Sequence, residues 1–200
     1  MGLKTRINLI EVPDAVPQRG SRFSLFMGQA YMAFIGWRLA GEVPNLPKFV
    51  MIVAPHTSNL DFPVGLAPLF ALGLRLSFMA KKPLFWEPFG TYLRWLGGVP
   101  IDRDASGGSV QEAVNQFEMR EKFILVITPE GTRQKVKRWK SGFYIIAHKA
   151  GVPIVPLTFD YGRREFRFGA PLMPTGDMEE EIKILQRFYD RSQARNPDSF

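Results

Sequence analysis

The chain has 200 residues, 46% of them hydrophobic, which suits one domain with its own core and excludes wholesale disorder. It has no cysteine, which excludes disulfides, thiolate nucleophiles, iron–sulfur clusters and cysteine-bound zinc; its two histidines, His56 and His148, are too few for a histidine-rich metal site. Lysine and arginine outnumber aspartate and glutamate 26 to 19, and the resulting net charge of +7 suits either a solvated basic face or an acidic counterpart such as a phosphorylated substrate, an anionic lipid or a nucleic acid.

Near the start, Lys4 and Arg6 are followed by Glu11, Pro13, Asp14 and Pro17 rather than by an apolar run, so no secretory signal is expected. The first long apolar stretch is Phe23 to Leu39. It is interrupted by Ser24, Gln29, two glycines and Arg38, and it falls short of the roughly 20 apolar residues that span a bilayer. Its aromatics Phe23, Phe26, Tyr31, Phe34 and Trp37, flanked by Arg22 and Arg38, fit a helix lying in a lipid interface, with core packing as the alternative. This divides the chain into an N-terminal segment, residues 1–47, carrying the interfacial helix, and an α/β domain, residues 48–200.

Lys48 to Ala54 is a continuous apolar, β-branched run and reads as a buried strand. Thr57, Ser58 and Asn59 are good helix caps, and Asp61 and Pro63 suit the first turn of a helix running to Leu74, with Pro68 as a kink. A strand from Leu76 to Ala80 follows, then a helical segment from Lys81 to Leu96 interrupted at Pro88, then a turn and short strand over Gly97 to Arg103. Ser109, with Glu112 three residues on, has capping-box spacing for a helix to Arg120. Phe123 to Ile127 is a strand and Thr128 to Thr132 a loop; a helix from Ser141 to Ala150 is closed by Gly151. Two strands, Ile154 to Phe159 and Arg163 to Phe168, precede a last helix from Asp177 to about Ser192, whose Glu179, Glu180 and Glu181 suit its positive end. The alternation predicts an α/β domain with helices on both faces of the sheet. Ligands of such sheets bind beyond the carboxyl ends of the strands. His56 and Glu130 both fall just after predicted strands, hence on one edge.

Two segments there carry chemistry. In His56-Thr-Ser-Asn-Leu-Asp61 a continuous helix would turn the two side chains about 140° apart. With His56 in the loop and Asp61 in the first helical turn, the carboxylate can instead accept from one imidazole nitrogen and leave the other as a base. A capping role for Asp61 is the competing reading. Pro129-Glu-Gly-Thr-Arg133 opens a basic run, Arg133 to Lys140, with five cations in eight residues. Amides of this Gly-containing loop, with Thr132 and Arg133, suit a phosphate or other anion. Glu130 is either an ion-pair partner of these cations or a hydroxyl acceptor. Arg103 is a third candidate, Asp102-Arg103-Asp104 being otherwise a surface charge alternation. His148, on an apolar helix with no acid nearby in sequence, reads as structural.

Four blocks in order resemble the glycerolipid acyltransferases, the family that includes the bacterial lysophosphatidic acid acyltransferases: His56-Thr-Ser-Asn-Leu-Asp61, Gly98-Val-Pro-Ile-Asp-Arg103, Pro129-Glu-Gly-Thr-Arg133 and Val152-Pro-Ile-Val-Pro156. They span about half the chain, and Pro174-Thr-Gly-Asp177 is also similar to the family. The resemblance implies a mixed sheet flanked by helices with an N-terminal membrane anchor. It makes His56 the general base, oriented by Asp61, that deprotonates an acceptor hydroxyl for attack on an acyl thioester of coenzyme A or acyl carrier protein. Arg103, Glu130, Gly131, Thr132 and Arg133 would hold the acceptor, a lysophospholipid or glycerol-phosphate type of molecule, the arginines on its phosphate. The Val152 to Pro156 block would lie near the acyl path. No bound cofactor and no metal are expected, and the implied place of work is the cytoplasmic face of the cell membrane, peripherally or monotopically. Pro55, Thr57 and Gln134 stand where the family often has Asn, then Gln, Arg or Lys, and Ser. They leave the base–acid pair intact and leave the acceptor open. Two alternatives stay beside this reading: a thioesterase using the same pair on water, and a non-catalytic basic module at a membrane surface. No zinc-finger, RRM or helix-turn-helix pattern points to nucleic acid, and no ATP or dinucleotide loop is present.

Overall fold

Seven strands form one sheet with helices on both faces. The computed structural model describes residues 12–58, 61–101, 108–132 and 134–200. In chain order its elements are α1 (Arg22–Ile35), β1 (Arg38–Ala40), β2 (Lys48–Ala54), α2 (Asp61–Leu72), β3 (Leu76–Lys81), α3 (Phe89–Trp95), β4 (Gly98–Ile101), α4 (Gly108–Met119), β5 (Phe123–Ile127), α5 (Gly142–Ala150), β6 (Ile154–Asp160), β7 (Glu165–Phe168) and α6 (Met178–Gln186). The sheet order is β1-β7-β6-β2-β5-β3-β4. Every pairing is parallel except β6 with β7, so the sheet is mixed.

The apolar run of β2 makes it the centre of the sheet, paired with β5 on one side and β6 on the other. Met51 and Val53 face one core layer, with Leu69, Leu72, Leu157 and Phe166. Val50 and Ile52 face the other, with Phe117, Leu125, Phe143 and Leu185. Phe49, Phe117, Phe143 and Phe166 are fully buried, and each stabilises the fold by roughly 1.5–3 kcal/mol relative to an exposed ring. On the first face α1 crosses α2 closely. A Cβ at Gly28 would lie 2.3 Å from the Ala71 amide nitrogen, so only glycine permits this approach.

Three expected elements differ in the structure. The stretch Phe23 to Leu39 does not form one helix: α1 ends at Gly36, which donates to the Ala33 carbonyl, while the Trp37 N–H takes that of Met32. Arg38–Ala40 then adds a strand beside β7, fixed by the Arg38 guanidinium on the buried Glu165 carboxylate at 3.1 Å. Ser109 is not a cap but lies one residue inside α4, and Glu112 accepts from Gln116 instead. The last helix stops at Gln186 rather than near Ser192, because Tyr189 turns into the core and donates to the Ile52 carbonyl at 2.9 Å. Asp190 then caps a new 3₁₀ turn, Arg191–Gln193. At 14 residues, α1 is about 21 Å long. Among the described residues, no helix is long and apolar enough to cross a membrane.

Candidate active site

The register of β2 and β5 sets Ile52 opposite Ile127, so the two strands end nearly level. His56 leaves the end of β2 and Glu130 the end of β5, as the strand-end rule predicts. The His56 backbone N–H donates to Glu130 Oε2 at 2.9 Å, which ties the two loops together. Asp61, the first residue of α2, is 1% exposed and turns back toward the loop. Its Oδ2 lies 3.2 Å from His56 Nδ1 and accepts the Ser58 N–H at 2.8 Å. Its Oδ1 accepts the Tyr161 hydroxyl at 2.6 Å. Asp61 is therefore more than a helix cap, since both oxygens are engaged by groups that hold the carboxylate beside the imidazole.

The electrostatics follow from these partners. Burial pushes the Asp61 carboxyl up, but the hydrogen bonds from His56, Tyr161 and the Ser58 N–H outweigh it and hold the group below the usual carboxylate range. Burial pushes Glu130 up, against the opposing pull of the His56 N–H. Burial and the bonded Asp61 carboxylate keep the Tyr161 hydroxyl protonated and donating. With Nδ1 turned to the Asp61 carboxylate, the contact suits the neutral tautomer that carries its hydrogen on Nδ1.

The ring borders a cavity of about 570 Å³, a size typical of small-molecule sites. Apart from His56 and Asp61, its polar lining among the described residues is sparse: Ser109, Thr128 and Lys140. Val53, Leu69, Phe78 and Leu157 give it an apolar wall. The arrangement sets an imidazole, paired with a carboxylate, at the border of a space suited to a hydrocarbon chain.

Of the residues expected around an acceptor, Gly131 lines the cavity. It needs its positive φ of 64°, and a Cβ there would meet the Lys140 side chain at 2.8 Å. Glu130 is buried and braces the His56 amide. Thr132 is exposed and its hydroxyl accepts the Gln134 N–H. Arg103 and Arg133 lie outside the described residues. His148 sits exposed in the last turn of α5 and stacks on Tyr144, away from the cavity lining. Among the described residues, no group of three or more His, Cys, Asp and Glu side chains is arranged to hold a metal ion.

Sequence reasoning missed three contributors. Tyr161 belongs to no motif, but it directly follows β6, the neighbour of β2, so the strand-end rule reaches it too. Trp37 packs edge-on to its ring at 5.0 Å, and the Arg195 guanidinium lies 5.7 Å over it. The next residue, Asn196, donates to the Thr57 hydroxyl at 3.2 Å and to the Thr57 carbonyl at 2.9 Å, so the C-terminal segment clamps the loop beside His56. Lys140, noted only as part of the basic run, lies over Gly131 at the cavity wall.

Tyr161→Phe removes one of the bonds that depress the Asp61 pKa. A folded carboxyl below its unfolded value contributes stability fully present above about pH 3.9 and lost as the pH falls through the folded value. The variant is therefore expected to be less stable than wild type by about 1–3 kcal/mol at pH 7, a gap that narrows below about pH 4. Denaturant unfolding at pH 7 and pH 3 checks both the size and the direction.

A family model described as Acyltransferase matches residues 42–160. A 1-acyl-sn-glycerol-3-phosphate acyltransferase of Streptococcus pneumoniae is 35% identical over 121 residues, covering 59% of this chain and 44% of that protein. The enzyme of the same name from Escherichia coli is 40% identical over 86 residues, covering 40% of this chain and 35% of that protein. The matched region thus spans less than half the length of either curated relative. The crystal structure of the 1-acyl-sn-glycerophosphate (LPA) acyltransferase, PlsC, from Thermotoga maritima shares the fold, with a TM-score of 0.58 at 21% identity over 84% of this chain and 77% of that one.

Proposed function

Because the chain belongs to the Acyltransferase family, we propose that it moves a fatty acyl group from an acyl thioester, of coenzyme A or acyl carrier protein, to the free hydroxyl of a glycerol-phosphate lipid such as 1-acyl-sn-glycerol-3-phosphate. The observation that carries this reading is the contact of His56 Nδ1 with the buried Asp61 carboxylate at the border of an apolar cavity.

The chemistry follows from the free nitrogen. His56 Nε2 takes the proton of the acceptor hydroxyl as its oxygen attacks the thioester carbonyl carbon. The new carbon–oxygen bond gives a tetrahedral intermediate. Its collapse breaks the carbon–sulfur bond, and the leaving thiolate takes the proton from the imidazolium. Ester and thiol are the products, and His56 returns to its starting state. Asp61 stabilises the imidazolium between the two transfers and stays ionised throughout. Glu130, buried against the His56 amide, serves as a brace for the loop. The apolar cavity takes the acyl chain. Arg103, Arg133 and Lys140 are the cations assigned to the acceptor phosphate, the first two by their motifs and Lys140 by its place on the cavity wall.

A lipid acceptor favours work at a lipid surface. On α1, Phe23, Phe26, Met27, Tyr31 and Phe34 are exposed at helical spacing, and Phe34 is 88% exposed. This stripe suits a helix lying along the interface rather than through the bilayer. The deciding experiment incubates purified protein with labelled acyl-CoA or acyl carrier protein thioester, with and without a panel of lysolipids, and identifies products by mass. Ester formed only with a phosphorylated lysolipid supports the reading. Equal release of free fatty acid with and without acceptor makes the protein a thioesterase, and absence of turnover makes it a binding module.

A further inference from the structure

An aromatic ladder stands outside the site described so far. Trp86, Phe89, Tyr92 and Trp95 recur every three residues, from the turn before α3 along its length. They are 63%, 40%, 48% and 60% exposed. Their ring centroids nonetheless follow one another at 6.0, 6.3 and 6.1 Å, so the four rings form one continuous exposed surface. Beneath them Phe85, Leu93 and Leu96 already fill the core. The outer rings stay largely in solvent, and soluble proteins rarely leave such a patch without a partner.

Three observations identify the partner as an anionic lipid surface. The first is the ring chemistry: two indoles and a phenol combine apolar bodies with polar tips, the composition enriched where membrane meets water. The second is charge. Between Leu74 and Ile101 the sequence holds Arg75, Lys81, Lys82 and Arg94 against a single acid, Glu87. That acid is already engaged by Arg94 at 2.6 Å and by Thr91. From Ala15 to Gly41 there is no acid at all. Cations near an anionic leaflet are attracted to it, whereas a second copy of this face would bring like charges together. The third is continuity. Trp95 meets Phe70 of α2 at 6.3 Å, Arg19 spans both rings, and Phe70 and Ala71 form the place where Gly28 of α1 crosses. The ladder thus adjoins the helix already assigned to the lipid interface.

We propose that the Trp86–Phe89–Tyr92–Trp95 ladder is a second lipid-contact surface, seated at the headgroup level of an anionic bilayer, so that the protein docks through α3 as well as α1. This rests on the reading that the protein works at a lipid surface.

The test uses vesicles of phosphatidylglycerol and phosphatidylethanolamine, with brominated phosphatidylglycerol as a fluorescence quencher. The four tryptophans are Trp37, Trp86, Trp95 and Trp139, and only Trp86 and Trp95 are strongly exposed. Wild type is expected to bind and be quenched. Trp86→Phe/Trp95→Phe is expected to bind but lose the quenching. Trp86→Ser/Trp95→Ser is expected to partition at least about tenfold more weakly, with an unchanged unfolding midpoint and unchanged turnover of a water-soluble short-chain acceptor. If wild type binds vesicles, and the emission removed by the phenylalanine variant was never quenched, the ladder proposal is overturned while the interfacial reading of α1 stands. If wild type does not bind vesicles, both fall. If the indoles become shielded from aqueous quencher as protein concentration rises without lipid, the ladder is a self-association face and the proposal is overturned.

Discussion

Asp61→Asn is expected to lower kcat by roughly 10³–10⁴-fold while the protein still folds, because an amide reverses the hydrogen bonding that fixes the imidazole. The Tyr161 hydroxyl donates to Oδ1, so the amide oxygen of the variant is drawn to that side. The amide nitrogen then faces His56 Nδ1 and the Ser58 N–H, both of which donate in wild type. The imidazole can meet this donor only by placing its own hydrogen on Nε2, which removes the base. Steady-state kinetics with saturating donor checks the rate, and KM is expected to change little because Asp61 has no role in holding substrate. The stability cost has a definite sign with pH. It is largest at neutral pH, where the depressed carboxyl is ionised, and shrinks as the pH falls below about 3.9, the unfolded value.

His56→Ala is expected to lower kcat by about 10²–10⁴-fold, the usual contribution of a positioned general base. The fold is expected to survive, at a modest cost. The contact that ties the loops uses the His56 backbone N–H, which alanine keeps. Asp61 loses the imidazole bond that helps hold its carboxyl down, so at pH 7 the variant is expected to be less stable by about 1–3 kcal/mol, as for Tyr161→Phe, while the far larger loss falls on the rate. His148→Ala provides the control. That ring is exposed at the end of α5 and stacks on Tyr144, so its removal is expected to leave turnover unchanged. Wild-type kcat in His56→Ala would remove the imidazole from the mechanism.

How far the sequence reached can be judged at particular residues. The continuous apolar run at Lys48 to Ala54 announced a doubly covered strand, and the residues just after it and after Phe123 to Ile127 announced the edge where His56 and Glu130 meet. Both signals are local. The alternation of elements reached the layered α/β architecture but not the strand order, since pairing depends on contacts far apart in sequence. The strand Arg38–Ala40 was hidden in an apolar stretch because its partner, β7, lies more than a hundred residues on. Tyr161 and Asn196 were hidden for the same reason: each reaches the loop beside His56 from a distant segment, Asn196 across 139 residues. The end of α6 was misjudged because burial of Tyr189 overrides local helix propensity. The cavity was not legible at all, being a property of packing between layers.

The pairing of His56 with Asp61 can be observed directly, because the chain has only two histidines. Nitrogen NMR of histidine-labelled protein, with His148→Ala to assign the signals, reports which ring nitrogen carries the hydrogen in the neutral imidazole. The expected result is a His56 ring protonated at Nδ1 and bare at Nε2 in wild type, reversed in Asp61→Asn. A wild-type ring carrying its hydrogen on Nε2, or one unaffected by Asp61→Asn, would contradict a base held ready by its carboxylate neighbour.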